Sequence, residues 1–342
     1  MRVAVATGVA GPDDIEFVRA AERLGVHSVW VAEAWGYDAL TPLAHLAAHT
    51  SSIRLATGIV QVGARTPAML AMQAMSVQRL SGGRLLLGLG SSGPGIIEGW
   101  HGVPFDKPLR AMRETIDIVR MAAAGERLKY DGDTYRLPLS GEGRGIRSMA
   151  PPADPIPIYI AALGPRSLEL TGEVADGWLG NAFMPEHADE FLAPIRDGAT
   201  RAGRTLADLD LAMPVAVEFT DDAAEAGRRH ADGYAFTIGA MGTPEQNFYN
   251  RSFAKQGYAD EVQRVYELWQ AGRRDEAESA VPFDIGFKTN LLGPPDVVRE
   301  RVRLYRDAGI TTLQAKLSGT LQERIDTVAQ LVEIVREVDD ES

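Results

Sequence analysis

Glu98, Trp100 and His101, gathered in the run EGWHG, put a carboxylate, a large aromatic face and an imidazole within four residues. An imidazole trades protons near neutral pH, and a carboxyl does so when burial raises its pKa. His101 is the preferred proton donor of this cluster, and Trp100 is suited to wall a planar substrate; a structural histidine is the plainer reading. Glu33, in VAEAWG, stands at the end of an apolar run with Trp35 two residues on. It fits a hydrogen bond to a ligand, a proton shuttle, or a cap on the loop before Trp35. His45 and His49 have a helical four-residue spacing but no acidic partner completes a ligand set, so no metal is expected.

The segment Gly88-Leu89-Gly90-Ser91-Ser92-Gly93 matches the glycine spacing of a dinucleotide fingerprint. That fingerprint belongs to the first strand of a βαβ unit and opens directly into a helix. Here it follows the fourth apolar run, Pro94 and Gly95 interrupt it, and the next strong helical pattern starts near Pro108. The segment reads better as a loop after a strand, where glycines let backbone approach a flat ligand and Ser91 and Ser92 offer hydroxyls.

These residues must be positioned by a repeating framework. RVAVAT, SVWV, IRLATGIV and RLLLGLG are short apolar runs, separated by amphipathic segments such as PDDIEFVRAAERLG and TPAMLAMQAMSVQRLSGG. Strands that are apolar throughout suit a parallel sheet covered on both faces. The unit returns in PIYIAALG, PRSLELTGEVADG, WLGN, PPDVVRERVRLYRDAG and ITTLQAK. Alternation over this length predicts a barrel or a doubly wound sheet. Two stretches break the rhythm: a hairpin signal at Leu128 to Leu137 within a Gly/Arg/Pro-rich insertion at about 127–155, and a helical excursion at about 233–289. No linker separates independent domains, so 1–342 is expected as one domain, ending in a frayed DDES tail.

Composition narrows the classes. With 45% hydrophobic and 24% charged residues the chain is an ordinary globular one, and its net charge of −12 opposes a nucleic-acid backbone. No run reaches the roughly 20 apolar residues of a membrane span, and the start lacks signal-peptide features, which points to the cytoplasm. There is no cysteine. Redox chemistry therefore needs a borrowed cofactor.

Nearly the whole chain resembles the luciferase-like superfamily of barrel oxidoreductases, in particular the branch dependent on the deazaflavin coenzyme F420. SVWVAEAWG, LATGIVQVGARTP, LLLGLGSSGPGIIEGWHGVPF and IYIAALGPRSLELTGEVADGWLGN carry the likeness by their order and spacing, and GPPDVVRERVRLYRDAGITTL resembles the closing helix and strand. The resemblance implies a (β/α)8 TIM barrel with insertions after strand four and in the C-terminal half, its loops converging on one pocket. It implies a hydride passed between F420 and a small organic substrate, with charge left for a donor such as His101 to protonate. It implies Gly58-Ile59 as a cis bulge behind the ring, and cofactor contacts at Glu33, Gly58, Ile59, Ser91, Ser92, Ala162, Leu163, Gly164, Pro165, Arg166 and Asn181. Catalytic roles fall to His101, Glu98 and Glu33, and substrate contacts to Trp35 and Trp100. Ala34 stands where the family often has a His, which weakens a His-centred relay there. Trp178 is a further candidate for the mouth, and Arg144 and Arg147 for an anionic tail. A homodimer is implied. The alternatives are an FMN-dependent monooxygenase of the same superfamily and a non-catalytic deazaflavin-binding protein.

Overall fold

Eight parallel strands form a (β/α)8 barrel in the computed structural model, which describes residues 1–241 and 247–341. They are β1 (Arg2–Thr7), β2 (Ser28–Val31), β3 (Arg54–Thr57), β4 (Leu85–Gly90), β5 (Ile158–Ala161), β6 (Gly177–Leu179), β7 (Asp210–Phe219) and β8 (Thr312–Lys316). The sheet order is β5-β6-β7-β8-β1-β2-β3-β4, and β4 also pairs with β5. Parallel neighbours need a crossover, and each helix that follows a strand supplies it. No helix among the described residues is long and apolar enough to cross a membrane.

The contacts divide the chain into two compact units. The N-terminal one comprises Ala6–Ala161 and Val174–Leu179. In it Val29 pairs with Leu55, Leu55 with Leu85, Leu87 with Ile158 and Tyr159 with Gly177. The strands are buried on both faces, as their apolar runs predict: Val29, Leu55, Leu85, Leu87 and Ile158 have no exposed surface. Each such side chain contributes about 1.5–3 kcal/mol. Trp30 and Tyr159 meet edge to face at 5.3 Å, and the indole N–H of Trp30 donates to Ser28 Oγ at 2.9 Å.

Two charged side chains fix the entry to β3. Oε1 of Glu22 accepts from the backbone N–H groups of Ser51, Ser52 and Ile53 at 2.8, 2.6 and 2.9 Å. Partial burial raises this carboxyl's pKa, but the three N–H groups and the Ser52 hydroxyl outweigh it and hold it at about 2. The anchor is thus in place above the ordinary glutamate range and weakens only as pH falls through about 2. Arg84 binds the same corner from the other side, donating to the carbonyls of Ala47, Thr50 and Ile53.

Helix Pro67–Leu80 starts at Thr66, whose hydroxyl accepts from the Met69 N–H. Of its methionines, Met75 is buried whereas Met69 and Met72 are exposed. The helical pattern expected near Pro108 is helix Pro108–Ala123. Pro94 opens a short helix, Pro94–Ile97, where the sequence pattern suggested an interruption; proline at the first helical position loses no hydrogen bond. In the insertion at 127–155, Tyr130–Asp131 pairs with Arg136–Leu137 and Arg127–Leu128 with Ile146–Arg147. The hairpin tip is tied down by buried Glu114, whose carboxylate accepts from the N–H groups of Asp133, Thr134 and Tyr135.

The C-terminal unit holds Met1–Val5, Ala162–Glu173 and the chain from Gly180 onward. Here β1 and β7 flank β8, with Arg2 and Ala212 both in register with Thr312. The excursion is a set of short helices that begins earlier than expected, at Ala223–Asp232, and ends with Phe283–Lys288. Residues 242–246 of the predicted 233–289 span lie outside the described residues. Its helices share a core of Ile238, Phe253, Val262, Val265 and Ile285. The DDES tail is helical rather than frayed through Asp340, because helix Leu321–Asp340 has a capping box of Thr320 and Glu323 and a buried apolar stripe.

Candidate active site

The carboxyl ends of β2, β3 and β4 bring Glu33, Gln61, Arg65 and His101 into one hydrogen-bonded chain. Glu33 and Arg65 form a two-pronged ion pair, with Nη1 to Oε1 at 2.7 Å and Nη2 to Oε2 at 2.6 Å. Both side chains are largely buried, at 7% and 14% exposure. Glu33 also accepts from the N–H groups of Ala39 at 3.2 Å and Gln61 at 3.3 Å. Gln61 in turn donates from Nε2 to the Ala34 carbonyl at 2.7 Å, while its Oε1 lies 2.9 Å from Nε2 of His101. Two of the three expected catalytic residues, Glu33 and His101, are therefore linked through Gln61. Glu98 is not in this chain: it is exposed, and its Oε1 accepts from the Phe105 N–H at 3.1 Å.

Gly58-Ile59 is a cis peptide, and the Gly58 N–H donates to the Val31 carbonyl at 2.8 Å. This bulge bears on two glycines of the GLGSSG segment. A Cβ on Gly88 would stand 2.0 Å from the Thr57 carbonyl oxygen, and one on Gly90 2.7 Å from Cδ1 of Ile59. The first distance is to backbone and cannot be relieved, whereas the second would require the Ile59 side chain to shift. Gly88 and Gly90 belong to β4, and Gly88 is required by the close approach of Thr57, while the glycines beyond the strand, Gly93 and Gly95, have open space where a side chain would be. Between them, Ser92 has a left-handed φ of 57° and the Ser91 hydroxyl donates to the Ser92 carbonyl at 3.4 Å.

Trp35 and Trp100 are exposed, at 48% and 63%, so their faces are available to a ligand. Trp178 is fully buried and packs in the interior instead of lining the mouth. Arg144 and Arg147 are exposed on the insertion. A cavity of about 370 Å³ opens beside the chain of residues, lined by Val62, Arg65, Ser91, Ile97, Phe105 and Tyr135 among others. Burial pushes the Tyr135 phenol up in pKa, so it stays protonated.

In the C-terminal unit, Ala162 is buried and Leu163 and Gly164 are half-buried ahead of helix Pro165–Val174, whose first residues Pro165 and Arg166 are exposed. The Gly164 carbonyl accepts from the Leu168 N–H and the Ser167 hydroxyl. Asn181 accepts from the Ala182 N–H at 2.8 Å. The Ala182 carbonyl is bound by buried Gln256, which also accepts from the Met184 N–H. Sequence reasoning singled out neither Gln61, Arg65 nor Gln256. Gln61 and Arg65 lie in LATGIVQVGARTP, where a lone amide inside an apolar run was the available signal.

A barrel whose strand ends gather an acid–base chain beside an open backbone loop belongs to the enzyme-bearing class of (β/α)8 folds. The sequence model of the luciferase-like monooxygenase family matches residues 3–312, and the chain belongs to that family. It is 39% identical over 318 residues to a Mycobacterium tuberculosis protein provisionally named a coenzyme F420-dependent oxidoreductase, covering 90% of this chain and 92% of that one. It is 34% identical over 301 residues to the 5,10-methylenetetrahydromethanopterin reductase of Methanolobus tindarius, covering 87% and 88%. The coenzyme F420-dependent tetrahydromethanopterin reductase of Methanopyrus kandleri has the same fold, with a TM-score of 0.78 at 22% identity and 98% of each chain covered.

Proposed function

We propose that the chain is an F420-dependent oxidoreductase that passes a hydride between the deazaflavin and a small organic substrate. The observation that carries the reading is the chain Glu33–Gln61–His101, which ties an imidazole to the segment that follows the bulge at Gly58-Ile59. The names of the relatives support the choice of cofactor.

The residues present suit a flat, hydrogen-bonding ligand. Gly93 and Gly95 have open space where a side chain would be, and the Ser91 hydroxyl donates over a long 3.4 Å to the Ser92 carbonyl. Gly58, Ile59, Ser91 and Ser92 would hold the ring. Ala162, Leu163, Gly164, Pro165, Arg166 and Asn181 are assigned to the cofactor as well, the exposed helix start at Pro165 and Arg166 being suited to an anionic group. When bound, F420 supplies the hydride or takes it up.

The protein's own part is placement and proton handling. A carbonyl or activated alkene that gains a hydride at carbon leaves an electron pair on the neighbouring atom. His101 gives that atom a proton, and in the opposite direction removes it. Glu33 has both oxygens committed to Arg65 and to backbone N–H groups, so its role is to hold Gln61 rather than to carry protons. The exposed rings of Trp35 and Trp100 would wall the substrate, and Glu98 shapes the turn that presents His101. Turnover is tested without oxygen by following the F420 absorbance against a panel of alcohols, carbonyl compounds and activated alkenes. Substrate-dependent bleaching or recovery is expected. Oxygen consumption with reduced FMN, and no change with F420, would replace this reading with a monooxygenase.

A further inference from the structure

We propose that Gln61 is a positioning residue that fixes His101 as its Nε2–H tautomer and so reserves Nδ1 as the atom that exchanges protons with substrate. The consequence for turnover rests on the function proposed above; the tautomer itself does not.

The orientation of the Gln61 amide decides the matter. A primary amide has a donating nitrogen and an accepting oxygen, and its partners decide which way it faces. The partner on one side is the main-chain carbonyl of Ala34, 2.7 Å from Nε2. A carbonyl oxygen can only accept, so turning the amide over would face two oxygens at that distance with no proton between them. The amide therefore points its NH2 at Ala34 and its Oε1 at His101, and Oε1 lies 2.9 Å from His101 Nε2. Oε1 carries no proton. The proton in that bond must come from the imidazole, which makes Nε2 the donor in both the neutral and the charged ring.

The main chain holds Gln61 in this pose. Its backbone N–H donates to Glu33, which is itself clamped by Arg65, and its side chain is 2% exposed. An amide buried there without its two bonds would leave a donor and an acceptor unsatisfied, which disfavours any other pose. The neutral ring consequently has its lone pair on Nδ1, and the charged ring adds its second proton there. Delivery of that proton from Nδ1 to the atom beside the hydride-accepting carbon returns the ring to the neutral Nε2–H form, which is the state Gln61 already binds. The proton and the electron pair balance without rearrangement of the hydrogen bond to Gln61.

The test is nitrogen-15 NMR of the full chain with labelled histidine, with no cofactor or substrate present. The chain has six histidines, and the spectrum of His101→Gln identifies the signals of His101 by their loss. With the ring neutral, the wild type is expected to give a protonated-type signal at Nε2 and an unprotonated-type signal at Nδ1. Gln61→Met, which removes the acceptor at similar volume, is expected to move both signals toward a mixture of tautomers. A wild-type spectrum with the proton on Nδ1 overturns the proposal, as does a Gln61→Met spectrum identical to the wild type. The wild-type measurement decides on its own if Gln61→Met fails to fold. Failure of F420 turnover with the expected spectrum counts against the function alone, and turnover with the wrong spectrum against Gln61 alone.

Discussion

His101→Gln lowers turnover with F420 about 10²–10⁴-fold, the range for loss of a positioned acid–base group, or about 3–5.5 kcal/mol in the barrier. The effect is expected on kcat rather than on cofactor affinity, because the proposed seat of the ring is Gly58, Ile59, Ser91 and Ser92, whereas the imidazole is proposed to act on substrate. Glutamine in place of histidine keeps a polar group near Gln61 but has no titratable nitrogen, so structure is spared while proton transfer is lost. Glu98→Gln is the informative companion. Its oxygen still accepts from the Phe105 N–H, and the side chain is exposed, so its loss in kcat is expected to be smaller than that of His101→Gln. Steady-state rates with F420 and a substrate found in the panel check both. An unchanged rate in His101→Gln would move the proton donor elsewhere.

Arg65→Ala is expected to destabilise the fold by about 3–5 kcal/mol, because it leaves the Glu33 carboxylate buried without its cation. The pair is two-pronged and both side chains are largely buried, which separates it from the many exposed ion pairs of this chain, worth about 0–1 kcal/mol each. Removing both charges together, as Glu33→Gln with Arg65→Met, is expected to cost clearly less than Arg65→Ala alone, since no uncompensated charge is left. Urea unfolding of the single and double variants measures the difference. Equal losses in the two would mean that solvent screens the pair, and the positioning role of Glu33 would then lack its anchor.

Much of the barrel was legible because its strands are short apolar runs bounded by glycine. SVWV is β2 without adjustment, and RLLLGLG contains β4. Strand β7 was not legible: Asp210–Phe219 has Pro214 at its centre, and proline within a run argues against a paired strand. The start of the excursion was misplaced for a related reason, since Ala223–Asp232 is the helix that follows the unseen strand. At the site, the position of the Gly58-Ile59 bulge came from family resemblance, while the reason for Gly88 could not. A glycine kept for a loop and one kept because a carbonyl oxygen stands where its side chain would be look alike in sequence. Gln61 was missed for a similar cause. A glutamine in an apolar run says that a polar group is buried, but only coordinates reveal that its partners are Ala34 and His101.

In the function proposed above, the bulge at Gly58-Ile59 and the loop at Ser91 and Ser92 form a deazaflavin seat served by His101. An equilibrium titration of the purified full chain with F420 and, in parallel, with FMN tests it most directly. Tighter binding of F420 than of FMN, weakened by a bulky substitution at Ser91, is the result this account predicts. FMN binding as tight or tighter would contradict it.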